Sequence, residues 1–446
     1  MVSDKDKQMI DRNSPEEVRE GDVVSQSPDL CFQVAMRHSP APPELPFYHI
    51  PTPGYLIDEK SLEDNARLLM QIKDATGCKI LLAQKAFACF PLYEMLSRYL
   101  DGASSSGLYE ARLAREEMGE VSEVHVYAPA YKDEEFEEIL KIADTVVFNS
   151  FEQWDKYRDR VIEQNLSGGR QISCGLRINP GYSEVTVPLY DPAGPGSRLG
   201  VSAETFKKGL AQGRFDGLSG IHFHSLCEQD ADVLVRTLDA IRSSFGEWPQ
   251  GLSWINLGGG HHITRPDYDL NLLVQTIDEL RAETDAVIYL EPGEAVALNA
   301  GWLVATVLDL FQSQTMMVAI LDTSAACHMP DVLEMPYTPA CFLLPAPERS
   351  GRASNWYEGK DASAQPYSVQ LAGPTCLAGD VIGTYSFECP PLPGDRIVFT
   401  DMAIYTMVKN NTFNGVPLPA IMLNDCDGNL KELRRFGYSD FKSRLG

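Results

Sequence analysis

The sequence lacks any run of the roughly 18 apolar residues that would cross a bilayer, and it lacks an excess of positive charge. Its 446 residues carry 63 Asp and Glu against 38 Lys and Arg, a formal net charge of −25. Nucleic acid and anionic membrane surfaces require a basic footprint, so neither is an expected partner. An acidic balance favours cationic ligands, or serves solubility alone. Paired cysteines are missing as well: the ten (31, 78, 89, 174, 227, 327, 341, 376, 389 and 426) include no CxxC. With no apolar signal-type segment at the N-terminus, scattered cysteines point to a reduced, cytoplasmic protein rather than a disulfide framework. Short-period repeats and low-complexity tracts are also absent.

What is present is ordinary for a soluble enzyme: 44% hydrophobic and 23% charged residues. The length exceeds one ordinary core and suits a large barrel with a second domain. Residues 1–45 are polar, close on Pro40, Pro42 and Pro43 with Pro46 just beyond, and show no sustained hydrophobic period. They read as a disordered or loosely packed extension. From Phe47 the pattern becomes structured. Tyr55, Leu56 and Ile57 form a short strand, and Leu62, Ala66, Leu69 and Ile72 make a helical stripe. Eight short apolar runs follow, at 79–85, 101–105, 123–128, 145–148, 172–178, 220–224, 254–257 and 287–291. Helical patterns lie between most of them, for example at 90–100, 107–118, 134–142, 204–211 and 231–245. This rhythm predicts an α/β fold, a (β/α)8 TIM-type barrel over 59–300; an open doubly wound sheet is the alternative. Beyond about residue 300 the helices stop, and runs at 303–310, 316–321, 368–372 and 396–400 predict a C-terminal all-β domain over 301–446. That domain is expected to take in the N-terminal strand at 46–58, leaving the barrel as an insertion.

Barrel chemistry gathers at the C-terminal ends of the strands. There the sequence places Lys85 after the first strand and His222 and His224 at the sixth. Gly258, Gly259 and Gly260 follow the seventh, and Glu291 and Glu294 the eighth. A lysine at the end of a buried strand either snorkels to water or loses its proton and becomes a nucleophile able to hold a carbonyl cofactor as a Schiff base. Three consecutive glycines make either a tight turn or a backbone cradle for phosphate. Glu291 reads as the partner of a cationic ring nitrogen or as a neighbour of a helix N-terminus. His222 and His224 with His261 and His262 offer a metal-site reading, although barrel metal hydrolases carry such a pair on the first strand, which here holds the lysine.

Several segments together carry a family resemblance: Gln84-Lys85-Ala86-Phe87, Asp101-Gly102-Ala103-Ser104-Ser105, Ile178-Asn179-Pro180-Gly181-Tyr182, Gly196-Ser197-Arg198-Leu199-Gly200, His222-Phe223-His224, Gly258-Gly259-Gly260, Glu291-Pro292-Gly293-Glu294, His328-Met329-Pro330-Asp331, Gly373-Pro374-Thr375-Cys376 and Thr412-Phe413-Asn414-Gly415. In this order the chain, over about residues 48–440, resembles the fold-type III pyridoxal-phosphate decarboxylases of the ornithine and diaminopimelate decarboxylase group. Within that group it is most similar to the carboxynorspermidine/carboxyspermidine branch. The resemblance implies pyridoxal 5'-phosphate as cofactor, held by Lys85 as a Schiff base, with His224 on its ring, Gly259, Gly260 and Tyr405 at its phosphate, and Glu291 at its pyridine nitrogen. It implies a homodimer with shared active sites, in which Cys376 and Asp380 enter from the second subunit and Cys376 supplies a proton. The implied reaction is decarboxylation of a cationic polyamine acid, with Glu294, Asp322, Asp331 and Glu334 as candidate partners for its ammonium groups. Glu294 departs from ornithine and diaminopimelate decarboxylases, which have arginine there. Cys227 stands where ornithine decarboxylases tend to have a phosphate-binding serine. A diaminopimelate- or ornithine-type decarboxylase and a non-catalytic binding homologue are the alternatives.

Overall fold

The computed structural model describes residues 44–347 and 356–446; the expectation for the N-terminal extension falls, up to residue 43, outside them. Strand β1 (Gly54–Asp58) leads into helix α1 (Glu59–Thr76). Asp58 caps that helix by accepting the Ser61 N–H, and Gly77 ends it in the left-handed conformation at φ 65°. Eight strands then alternate with helices: β2 (Lys79–Ala83), β3 (Gly102–Ser105), β4 (Glu123–Tyr127), β5 (Thr145–Phe148), β6 (Ser173–Arg177), β7 (Gly220–His222), β8 (Trp254–Asn256) and β9 (Val287–Leu290). They pair in parallel, each with its successor, and β9 closes on β2. The eight runs of the sequence are the eight strands of this barrel, seven of them shortened by one or two residues because hydrogen-bonded pairing stops where the loops lift away.

The interior of the barrel is filled rather than open. Trp254 crosses it, and a Cβ on Gly220 would stand 2.0 Å from the indole ring, so a residue without a side chain is required opposite. Helices on the outside bury the other faces of the strands. The helix Phe151–Leu166, which the charge-diluted sequence pattern hid, is capped by Ser150 and packs Phe151, Trp154, Tyr157 and Val161 inward. The helix expected at 90–100 is instead a 3-10 turn at Phe90–Leu92 and one turn of α-helix at Tyr93–Leu96. Pro91 starts the turn, and the chain must already be extended for β3 at Gly102.

The second half is a large sheet built on one long strand, β10 (Gly301–Gln312), which runs antiparallel to β1 and, on its other side and further along, to β11 (Met317–Leu321) and to Arg396–Thr400. Strand β1 also pairs in parallel with Ala420–Asn424. The N-terminal strand therefore lies inside the C-terminal sheet, and chain leaving the sheet builds the barrel before returning. Tyr55, Leu303, Leu343, Leu371, Phe387, Ile397 and Phe399 are buried in one core of this sheet. Its upper surface faces the C-terminal end of the barrel, and the space left between them is the site. Among the described residues no helix is long and apolar enough to cross a membrane.

Candidate active site

A cavity of about 590 Å³ lies over the barrel, lined among others by Lys85, Arg177, His224, Glu291, Glu294 and Tyr405. Lys85 sits in the turn just past β2 and faces this space. Burial, and then the nearby Arg177 guanidinium, push its ammonium below the ordinary lysine range, against the pull of Glu291 and Glu294. The result is an amine readily freed of its proton. His224 supports that state. The Gly259 N–H donates to its Nδ1 at 2.9 Å, so the ring proton belongs on Nε2, which is 3.4 Å from the Lys85 Nζ. Burial, Lys85 and Arg177 hold this imidazole well below its usual pKa and therefore neutral.

Glu291 follows β9 and is buried. Its Oε1 accepts the Asn256 side-chain N–H at 2.7 Å, and its Oε2 is 3.4 Å from His222 Nε2. Burial alone would raise its pKa, but His222 and Asn256 bring it below the usual carboxylate range. His222 is itself pushed down by burial, so this pair holds one charge, and the carboxylate keeps it. Asn256 Oδ1 in turn accepts the Gly258 N–H at 2.9 Å. This ties the glycine turn to the carboxylate. Gly258 and Gly260 have φ of 72° and 84°, and a Cβ on Gly259 would come 2.1 Å from the Glu291 carbonyl oxygen. No other residue type fits this turn.

Arg177 is a site residue that the sequence reading passed over. It ends β6, is buried, donates from a terminal nitrogen to the His224 carbonyl at 3.1 Å and lies 4.5 Å over the Tyr127 ring. Its Nε has no hydrogen-bond partner among the described residues. Its place at a barrel strand end was the signal available.

The rim is acidic. Glu294 accepts from His262 Nε2 at 3.0 Å, and Glu228, held at φ 55°, joins them with side-chain polar atoms all within 4.8 Å. Burial opposes a charge on His262, but Glu294 and Glu228 raise its pKa above the ordinary value. Glu228 was not foreseen; only the local turn brings it here. Asp331 accepts from Tyr190 OH at 2.8 Å and pairs with Lys409, while Glu334 lies beyond the lining, 3.6 Å from the Lys409 ammonium. Tyr405, at φ 45°, donates its backbone N–H to Ala86 O at 2.8 Å, which ties the sheet to the Lys85 turn. Burial pushes the Cys227 thiol up to about 12, so it lines the cavity as a neutral group. The four histidines of the alternative metal reading do not converge as a ligand set; among the described residues only Glu228, His262 and Glu294 do.

Two expected residues are corrected. Asp322 does not reach the cavity: its carboxylate accepts the Thr306 N–H at 2.8 Å, and Arg396 lies nearby. Asp380 is 3% exposed and its oxygens are consumed inside its own chain by Ser324 Oγ, the Ala326 N–H and Thr375. With those donors satisfied internally it organises the loop and has no oxygen free for a substrate. Cys376 on the same loop is exposed, its N–H bound by Asn414 at 2.8 Å, and it does not line its own chain's cavity.

Residues 54–403 match the family described as "Pyridoxal-dependent decarboxylase, C-terminal sheet domain". The chain is 39% identical over 399 residues to the carboxynorspermidine/carboxyspermidine decarboxylase of Campylobacter jejuni, covering 89% of this chain and all of that one. It is also 39% identical over 398 residues to the carboxyaminopropylagmatine decarboxylase of a Synechocystis species, covering 89% and 96%. The crystal structure of the carboxynorspermidine decarboxylase of C. jejuni complexed with norspermidine superposes with a TM-score of 0.76 at 38% identity, over 89% of this chain and 100% of that one. Diaminopimelate decarboxylase of Helicobacter pylori complexed with L-lysine shares the fold at 18% identity, with a TM-score of 0.71 over 90% and 98% of the two chains.

Proposed function

The chain belongs to the pyridoxal-dependent decarboxylases, and we propose that it removes CO2 from carboxynorspermidine, carboxyspermidine or both, giving norspermidine or spermidine. The observation that carries this reading is one cavity in which a deprotonatable Lys85 and an ionised Glu291 lie on the floor and carboxylates line the rim.

The residues present fit pyridoxal phosphate. An amine, a flat neutral imidazole, a buried anion and a turn that only glycine can form are the four features such a group requires, and all open on the same space. Bound there, the cofactor supplies a protonated ring that accepts the electron pair freed when the carboxylate leaves. Lys85 would be its covalent anchor, Glu291 would keep the proton on the ring nitrogen, His224 would contact the ring, Gly259, Gly260 and Tyr405 would hold the phosphate, and Arg177 would add positive charge nearby. Glu294, Glu228 and Asp331 take the ammonium groups of a long cationic substrate; Lys409 must yield its hold on Asp331 for that residue to take part. Carboxylates at the rim would also repel the second carboxylate of diaminopimelic acid.

We place Cys376 in the second active site of a homodimer, where its thiol donates the proton that replaces CO2. Its exposure, away from its own cavity, supports this. None of the nine described cysteines is in a disulfide with another described residue, in keeping with a cytoplasmic enzyme. A second reading rests on the Synechocystis relative of equal identity: a substrate ending in guanidinium instead of ammonium. The test is CO2 release by the cofactor-loaded chain from carboxynorspermidine, carboxyspermidine, carboxyaminopropylagmatine, diaminopimelate and ornithine in parallel. Turnover of either of the first two at the highest kcat/KM is expected. Preference for the third establishes the second reading, and release from none of the first three overturns both.

A further inference from the structure

The least explained polar group beside the cavity is His222. It is 1% exposed, yet neither ring nitrogen has a hydrogen-bond partner among the described residues. A buried imidazole N–H left unpaired costs free energy, so its retention calls for a reason. Its neighbours supply one. The ring lies 5.4 Å from that of Tyr127, tilted by 32°. Tyr127 is held from its far end, where its OH donates to Asn149 Oδ1 at 2.7 Å, and its ring also carries the Arg177 guanidinium. The imidazole is thus kept at one depth inside the barrel. From there Nε2 stands 3.4 Å from Glu291 Oε2, close to that oxygen but longer than a firm hydrogen bond. Asn256 already serves the other oxygen. A small shift of either side chain closes the contact.

We propose that His222 is a positioning residue for Glu291: as the Nε2–H tautomer, braced by Tyr127, it gives the carboxylate its second hydrogen bond and so aims the anion into the cavity. The inference rests on the role assigned to Glu291 above. A carboxylate held by Asn256 alone can swing about that bond, whereas two donors from β7 and β8 fix its plane. His222 does not line the cavity; it acts through Glu291. Neutrality suits this role, because a protonated ring would compete with the cofactor nitrogen for the same negative charge.

Three variants test it: His222→Leu, which fills the space without a donor; His222→Asn, whose amide reaches only as far as Nδ1; and His222→Gln, whose amide reaches the Nε2 position. The readouts are the dissociation constant of pyridoxal phosphate by equilibrium dialysis and kcat of the loaded protein, with the thermal transition as a check on folding. Loss of one hydrogen bond to a charged group predicts a fall of about tenfold to hundredfold in kcat for Leu and Asn, weaker cofactor retention, and recovery of most of both in Gln. A simple space-filling role predicts that Leu behaves as wild type; that result, or a Gln variant as impaired as Asn, overturns the proposal. Should the Leu variant not fold, the Asn and Gln pair decides, since both bury an amide of the same chemistry. A wild-type chain that takes up no pyridoxal phosphate sinks the underlying reading as well, whereas a loaded, active wild type with equally active Asn and Leu variants sinks this inference alone.

Discussion

The barrel holds a carboxylate towards each end of its strands, Glu123 half-buried and Glu291 buried, and treats the two in different ways. Glu123, first residue of β4, accepts from His125 Nε2 at 2.9 Å and Tyr289 OH at 2.9 Å and pairs with Lys79. Burial works against its charge, but His125 and Lys79 hold its pKa at about 2. Every oxygen contact of this carboxylate is made within the cluster, and only His125 Nδ1 lacks a partner among the described residues. Glu291, just past β9, has one firm donor and one loose one, beside a cavity into which Lys85 and Arg177 also face. Here two basic side chains share one buried carboxylate, and His222 and Arg177 keep unpartnered nitrogens. A cluster whose members satisfy one another stabilises a fold; one with unmet donors and an adjoining space is arranged for something that arrives later. The same residue types therefore do structural work at the bottom of the barrel and chemical work at the top.

The contrast breaks most visibly at Lys85. Lys85→Ala should reduce CO2 release to background while the thermal transition stays near wild type, because the side chain faces the cavity and packs no core. Next comes the pair of carboxylates. Glu291→Gln should lower kcat about a hundredfold to a thousandfold through the lost charge at the reacting ring, with little change in stability. Glu123→Gln should do the reverse, losing about 1 kcal/mol of folding stability as a half-exposed pair and its hydrogen bonds are weakened, with kcat kept. Steady-state kinetics beside urea unfolding checks both, and equal effects on kcat would erase the distinction between the two ends.

At the rim the expected effect is smaller and falls on KM. Glu294→Gln and Glu228→Gln should each raise KM for the polyamine substrate about tenfold, the equivalent of one charge-assisted hydrogen bond, while leaving kcat largely intact. A drop in kcat without a change in KM would place these residues with the floor. A separate effect, on stability rather than on catalysis, is one of pH. His261, beside the cavity, and His328, at the end of the short helix Ala325–His328, are pushed down to about 4 chiefly by burial. Below about pH 6.5 the unfolded chain takes up protons that these folded imidazoles refuse, so stability should fall from there down to about pH 4. The slope is about 1.4 kcal/mol per pH unit for each histidine. Urea midpoints at pH 7 and pH 5 report it, and a midpoint that rises at pH 5 would contradict the assignment.

Much of this arrangement could be read from the residues in order. The eight barrel strands announce themselves as short apolar runs, and Lys85, His224, Gly258 to Gly260 and Glu291 are conspicuous because each falls just past one of them. Arg177 stayed hidden inside an apolar run, where an arginine at the strand end looks like any polar boundary. Glu228 depends on a left-handed turn that its own sequence does not encode. The acidic residues fared worst. Asp322 and Asp380 are chemically equivalent to Asp331, and only donors 16 and 56 residues away, at Thr306 and Ser324, decide that they are internal while Asp331 faces the cavity. Pattern and spacing locate side chains along the chain, but long-range pairing determines which carboxylates remain available.

The measurement that bears most directly on the account is borohydride reduction of the chain after incubation with pyridoxal phosphate, followed by mass mapping of the modified peptide. The account predicts a single reduced adduct, on Lys85, absent from Lys85→Ala and lost when His224 and Glu291 are replaced only to the extent that cofactor binding weakens. An adduct on another lysine, or none in a folded chain, would contradict the assignment of this cavity as the decarboxylase centre.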